Sequence, residues 1–273
     1  MTHIKVYRHT NKVCAAQSGS VVAIGNFDGV HLGHKKVLHA AKKQADELNV
    51  PLIVVTFEPH PIAVLKPELS PTRLTPFAAK ARELELIGAN GVYVIKFSKN
   101  YAQTTPEEFV TDTLVNILHA KHIFVGDDFS FGKARSGSPE VLAQMGEEMG
   151  FEVTAVSQYM QHGERVSSTR IRGVLDSGNI AEMPSLLGRN YSIRTRFVET
   201  EMLTLVGYMH NYAPIKNGAY WCEVDYSNSR FTLPVVVIGN KLTIPALGDR
   251  PEIGDGVAEI SFVEVMQELK DAM

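Results

Sequence analysis

Residues 24–34 read Ile24-Gly25-Asn26-Phe27-Asp28-Gly29-Val30-His31-Leu32-Gly33-His34, and what flanks them decides the fold. Before them lies a short β-branched run, 21–25. After them, residues 35–48 place Val37, Leu38, Ala41, Ala45 and Leu48 on one helical face. A buried strand that enters a glycine-rich loop and leaves it as a helix is the opening of a βαβ unit. Such a loop offers an anion the free N–H groups of the helix N-terminus and the positive end of its dipole, and Gly25, Gly29 and Gly33 allow close backbone approach. His31 and His34, three residues apart, fall on one face of the opening turn. Two imidazole N–H groups aimed at phosphate oxygens stabilise charge that grows as the phosphorus is attacked, without either ring exchanging a proton. A plain structural turn and an H-x-x-H zinc site are the competing readings. The helix-opening position, the flanking glycines and the lack of a nearby third ligand favour phosphate.

Outward from this segment the same pattern repeats. Strands are expected at 21–25, 52–57, 92–97, 122–126 and 152–156, with helices at 35–48, 77–87 and 107–118. Continuous apolar runs such as Leu52-Ile53-Val54-Val55 suit strands buried on both faces, so helices should cover both sides of a parallel sheet. Near Asp176 the style changes. A Ser177-Gly178-Asn179 turn and a short helix at 183–187 lead into short strands between the turn signals Asn217-Gly218, Ser227-Asn228, Gly239-Asn240 and Gly248-Asp249. The expected architecture is α/β, a Rossmann-like parallel-sheet domain over residues 1–186 followed by a small all-β barrel over 187–273. No internal repeat and no low-complexity segment interrupts it.

Composition limits the function classes. Of 273 residues, 44% are hydrophobic and 21% charged, enough to bury a core and too apolar for a disordered chain. A net charge of −3, from 27 Lys and Arg against 30 Asp and Glu, gives no basic field for a nucleic-acid backbone. Cys14 and Cys222 are far apart, which excludes a zinc knuckle, a thioredoxin motif and a disulfide framework. No apolar run reaches signal-peptide or membrane-span length, so a soluble cytoplasmic protein with neither a nucleic-acid nor a membrane partner is expected.

Residues 25–34, GNFDGVHLGH, resemble the signature of the HxGH nucleotidyltransferase superfamily, and the fuller form G-x-F-D-G-V-H-x-G-H is similar to that of bacterial FAD synthetases. Four further segments fit that family in order: Thr56-Phe57-Glu58-Pro59-His60-Pro61, Arg73-Leu74-Thr75 before a helix containing Lys80, Asp128-Phe129-Ser130-Phe131-Gly132, and Ser167-Ser168-Thr169-Arg170-Ile171-Arg172. The resemblance implies transfer of AMP from ATP to FMN, giving FAD and pyrophosphate, with Mg²⁺ on the phosphates. It implies catalytic roles for His31 and His34, ATP contacts from Gly25, Phe27, Gly33, Ser168, Thr169 and Arg172, and flavin contacts from Pro59, His60, Asp128 and Phe129. It assigns no metal ligand in the chain.

Each segment also reads without the family. Ser168 and Thr169 precede a helical stretch and serve as N-caps on the plainest reading, while Arg165, Arg170 and Arg172 beside that cap suit a triphosphate. The Thr56–Pro61 loop ends a buried strand, where ligands meet α/β sheets, or is a rigid proline turn. Asp127 and Asp128 could hold Mg²⁺ or a ribose, or cap a turn. Ser130 stands where the family usually carries a basic residue.

The family commonly adds a riboflavin kinase barrel, and Leu187-Gly188-Arg189-Asn190-Tyr191-Ser192-Ile193 resembles its entry. The kinase's G-F-P-T-A-N segment is replaced by Gly207-Tyr208-Met209-His210-Asn211, without the Pro-Thr pair. Glu223 is expected to face solvent with no partner to make it a base. Residues 263–273 are too few for the kinase's strand end and long final helix. An FMN adenylyltransferase without riboflavin kinase activity is therefore expected. A nucleotidyltransferase with another phosphate acceptor and a non-catalytic flavin- or nucleotide-binding protein remain as alternatives.

Overall fold

The computed structural model describes residues 4–8, 13, 16–200, 204–245 and 255–266; Cys14 and the Gly248-Asp249 turn lie outside them. The chain divides into two compact units, residues 1–71 with 77–160 and residues 72–76 with 161–273.

The first unit is built on six parallel strands, β1 (Lys5–Arg8), β2 (Ser20–Ile24), β3 (Leu52–Glu58), β4 (Gly91–Lys96), β5 (Ala120–Gly126) and β6 (Glu152–Val156), in the order β1-β4-β3-β2-β5-β6. Alternate residues of β2 serve opposite cores. Val21 and Ala23 pack with Val37, Leu38 and Ala41 of α1 (Leu32–Glu47) and Leu84 of α3 (Phe77–Leu86), beyond the short α2 (Pro61–Leu65). Val22 and Ile24 pack with Val110 and Leu114 of the next helix and with Leu142 of α5 (Pro139–Met149). Helices thus cover both faces, as the apolar strands require.

Three features depart from the expected elements. Strand β1 adds an edge beside β4; its four residues are mostly exposed and carry no apolar run to announce it. The helix expected at 107–118 starts as α4 (Pro106–Glu108), closed by a Thr105/Glu108 capping box, and continues as a π-helix over Phe109–Ile117. Helix α5 was not signalled by periodicity because its buried residues are only Pro139, Leu142 and Gly146; Ser138 caps its start and Gly150, at φ 81°, its end.

The chain passes to the second unit through the short strands β7 (Met160–Gln161) and β8 (Glu164–Arg165). That unit holds α6 (Ser168–Ser177), α7 (Met183–Leu187) and the strands β9 (Tyr191–Glu199), β10 (Leu205–Tyr208), β11 (Gly218–Tyr226), β12 (Ser229–Ile238), β13 (Lys241–Ile244) and β14 (Gly256–Val265). The six strands close into an antiparallel barrel ordered β10-β13-β12-β11-β14-β9. Inward positions alternate along each strand and are filled by Tyr191, Ile193, Phe197, Cys222, Val235, Ile260 and Phe262. Ser227 and Asn228 join β11 to β12 with φ of 47° and 66°, the left-handed pair that matches strand twist in a two-residue hairpin. Residues 72–76 are tied into this unit: Tyr191 donates its hydroxyl to the Leu74 carbonyl at 3.0 Å and Arg172 Nε donates to the Thr72 carbonyl at 2.7 Å. Among the described residues no helix is long and apolar enough to cross a membrane.

Candidate active site

In the first unit the chain winds from β2 towards β1 on one side and from β5 to β6 on the other, so the order reverses between β2 and β5. Ligands of open parallel sheets enter the crevice beyond the carboxyl ends of the strands at such a point. The loop after β2 carries Phe27, Gly29 and Val30 at φ of 48°, 88° and 44°. Left-handed Phe and Val are unfavourable and persist only where surroundings hold them; here Phe27 is 2% exposed and Asp28 and Val30 are also buried. Gly25 is what permits this: a Cβ there would stand 3.0 Å from the Phe27 ring.

The loop ends in His31, the N-cap of α1, whose Nδ1 accepts the backbone N–H of His34 at 3.2 Å. A neutral imidazole that accepts at Nδ1 carries its proton on Nε2, so His31 is set as an Nε2–H donor. The His31 and His34 rings stack at 3.6 Å and 16°, and His34 meets the Phe27 ring edge-on at 5.3 Å. Gly33 is the second residue of α1, and the first turn carries no acidic side chain. The structure brings Gly25, Phe27, His31, Gly33 and His34 together in one loop and helix start, with the Phe27 ring edge-on to His34.

Sequence reasoning gives Lys80 no role beyond its place in the helix after Arg73-Leu74-Thr75, yet Lys80 helps to hold this loop. Lys80 of α3, 5% exposed, donates Nζ to the Asn26 carbonyl at 2.8 Å and lies 3.4 Å from both Thr56 Oγ1 and Glu58 Oε1. Thr56 Oγ1 donates to the same Asn26 carbonyl at 3.2 Å. Asn26 Oδ1 is buried with no hydrogen-bond partner among the described residues. One signal could have found Lys80: it occupies the buried stripe of α3 with Ala81 and Leu84, a place where a lysine needs partners.

The neighbouring strand ends supply the rest of the rim. After β3, a cis Glu58-Pro59 bond leads to His60, which caps α2 by accepting the Ile62 N–H at Nδ1; Pro59 is exposed and His60 half-buried. Phe57, Phe97 and Tyr101 meet edge-to-face at 6.0 and 5.9 Å, and burial pushes the Tyr101 phenol well above its ordinary range. After β5, Asp127 Oδ2 accepts the Gln158 N–H at 3.3 Å, Asp128 is exposed, and Phe129 stacks on Phe131 at 5.5 Å. Phe131 and Gly137 exchange backbone hydrogen bonds at 3.1 and 2.9 Å, which closes that loop. Among the described residues no group of three or more His, Cys, Asp or Glu could hold a metal ion.

The remaining expected residues belong to the second unit. The cap of α6 is Ser167, whose Oγ accepts the Arg170 N–H at 3.2 Å, so the capping expected of Ser168 and Thr169 is corrected: they are the first two helical residues. Arg170 is also reassigned. It is 17% exposed and pairs with Glu182 at 2.7 Å and Glu164 at 3.5 Å while donating to the carbonyls of Gln161 and Glu164, an anchor inside the unit. Glu223 is not partnerless: Arg230 reaches it at 3.4 Å and grips Asp225 at 2.7 and 3.0 Å. In place of the kinase segment, Tyr208 stacks on His210 at 5.6 Å, and buried Met209 donates its N–H to the Asn240 carbonyl.

A family profile described as FAD synthetase matches residues 13–170, more than half of the chain and all five motifs up to Arg170. The chain belongs to the FAD synthetase family. Its relatives include a "Bifunctional riboflavin kinase/FMN adenylyltransferase" of Escherichia coli (strain K12), 34% identical over 246 residues that cover 88% of this chain and 79% of that protein. The Haemophilus influenzae protein of the same description is 34% identical over 255 residues, 90% and 82% of the two chains. A "FAD synthetase" of Listeria monocytogenes is 38% identical over 215 residues, 77% and 85%. A solved structure described as a macrolide-efflux protein from Streptococcus pneumoniae superposes with a TM-score of 0.81 at 24% identity, covering 90% of this chain and 86% of that one, which is a likeness of fold. In this FAD synthetase family member the His31–His34 segment, recognisable in the sequence, is the N-terminus of α1 at the sheet's switch point.

Proposed function

We propose that the protein transfers AMP from ATP to FMN and does not phosphorylate riboflavin. The observation that carries this reading is the His31/His34 stack at the N-terminus of α1, beside the β2/β5 reversal. An oxygen of the FMN phosphate attacks the α-phosphorus of ATP; the new P–O bond forms as the bond from that phosphorus to the β-phosphate bridge breaks, and pyrophosphate leaves. A phosphate monoester with a second pKa of about 6 is already anionic at neutral pH, so no general base is required. His31 Nε2–H, His34 and the N–H groups of α1 hold the α-phosphoryl oxygens as charge grows on them.

Gly25 and Gly33 admit the nucleotide to the backbone, and Phe27 keeps His34 in place. Ser168, Thr169 and Arg172 contribute ATP contacts, and Pro59, His60, Asp128 and Phe129 flavin contacts. Mg²⁺, when bound, would neutralise charge on the polyphosphate. Nucleotidyl transfer is assigned to residues 1–186, and residues 187–273 to a riboflavin kinase-like barrel without catalysis, in a cytoplasmic protein.

Incubation with FMN and MgATP is expected to yield FAD and pyrophosphate in equal amounts, with a parallel riboflavin reaction giving nothing. Neither product from FMN, with ATP still bound, would overturn the acceptor. Ser130 in the β5 loop favours one second reading, a different phosphate acceptor, which competition of FMN against other phosphomonoesters would reveal.

A further inference from the structure

We infer that Lys80 is a positioning residue for the proposed adenylyl transfer, holding the His31 loop in its working shape through the Asn26 carbonyl and tying it to the loop after β3. The inference rests on the proposed function.

Its basis is how the loop is restrained. Between β2 and α1 the backbone turns through left-handed Phe27 and Val30, conformations that relax unless neighbours over-determine them. Packing restrains the side chains, whereas the carbonyl of Asn26, just ahead of Phe27, is fixed by two side-chain donors, Lys80 Nζ at 2.8 Å and Thr56 Oγ1 at 3.2 Å. The lysine is the charged and closer donor, and charge-assisted hydrogen bonds are roughly twice as strong as neutral ones. The same ammonium lies 3.4 Å from Glu58 Oε1, the residue before Pro59. Lys80 and Glu58 have side chains only 6% and 14% exposed, so the pair is shielded from solvent and its geometry is kept. A single buried cation therefore clamps the loop that presents His31 and the loop that presents Pro59 and His60. The chemistry tolerates little slack, since a misplacement of about 1 Å can cost ~10²-fold in rate.

An ion pair that only stabilises the fold makes a different prediction, and the full-length chain can separate the two. Lys80→Met alone takes the ammonium from beside the shielded Glu58 carboxylate and is expected to lower Tm. Lys80→Met/Glu58→Gln removes both charges and is expected to recover Tm, while kcat for FAD formation stays about 10²-fold below wild type and KM for ATP moves by less. A double variant whose kcat returns with its Tm would overturn the inference. Thr56→Val, close to isosteric, is the companion that decides if the lysine variants do not fold. Reduced kcat in folded Thr56→Val supports control through the Asn26 carbonyl, and wild-type kcat overturns it. Wild-type enzyme runs alongside: if it makes no FAD from FMN and MgATP, the proposed function fails, whereas FAD from wild type with an equally fast double variant faults the lysine alone.

Discussion

The two ring nitrogens of His31 are open to different tasks. Nδ1 caps α1 through the His34 N–H, and that bond leaves the proton on Nε2, the atom that the proposed mechanism uses as donor to a phosphoryl oxygen. The two tasks separate by substitution. His31→Ala loses cap and donor together and is expected to cost about 1 kcal/mol of stability and ~10²–10³ in kcat. His31→Asn keeps an acceptor suited to the cap, so its Tm should stay near wild type while kcat falls as far as in the alanine variant. Thermal melts beside steady-state kinetics check this, and wild-type turnover in the asparagine variant would remove His31 from the reaction.

Gly25→Ala tests the support beneath. Its Cβ would press on the Phe27 ring at 3.0 Å, and that ring carries the edge of His34. A folded protein with kcat lowered about 10-fold or more is expected from such a displacement. The place of the histidines at a helix start was legible because a buried strand, a glycine-rich loop and a helical apolar face follow one another in the sequence. The sequence named Lys80 only as part of the helix after Arg73-Leu74-Thr75; the positioning inferred for it was not legible, because it depends on burial against the distant Asn26, Thr56 and Glu58.

At the scale of elements, the strands β2 to β6, of five to seven residues, were readable, the half-exposed edge strand β6 among them, whereas the four-residue edge strand β1 was not. The short Leu142-centred face of α5 and the widening of α4 into a π-helix likewise depend on tertiary packing that periodicity does not encode. The pairing of β5 with β6 carries a consequence for stability. His122 of β5 stands opposite Glu152 of β6, is buried against Phe124, and shares a 2.8 Å hydrogen bond with Thr154 Oγ1. Burial pushes its pKa below the ordinary 6.5, with the Glu152 carboxylate opposing that shift more weakly. As pH falls through about 6.5 the unfolded chain takes up this proton before the folded one, so the contribution is complete above that pH and is lost as pH drops towards the folded pKa. The urea midpoint should therefore decline from pH 7 to pH 5 by more in the wild type than in His122→Gln. Parallel profiles would show that His122 does not contribute to the acid sensitivity.

At the scale of the molecule, two architectures on one chain were legible because hydrophobic spacing shifts from helical to alternating past Asp176. The inclusion of residues 72–76 in the second unit was not, since it is made by long-range bonds such as Tyr191 to Leu74. The barrel bears on the last prediction. Its relatives in Escherichia coli and Haemophilus influenzae are described as carrying riboflavin kinase, so a closed barrel alone could be taken for that activity. Phosphoryl transfer, however, draws almost all its rate from groups that position the phosphates and their metal. Here the segment from Gly207 to Asn211 has neither the proline nor the threonine that the kinase motif needs, and Met209 is buried within it. Glu223, the acidic residue on a barrel strand, faces Arg230, which also grips Asp225, so this carboxylate is already engaged with a cation. Riboflavin with MgATP should therefore give no FMN above background over a time in which FMN is converted to FAD, with flavins separated chromatographically. FMN formed at a rate comparable to FAD synthesis would mean that another set of barrel residues supplies the metal and phosphate contacts, and the search for them would start on the strands flanking Glu223.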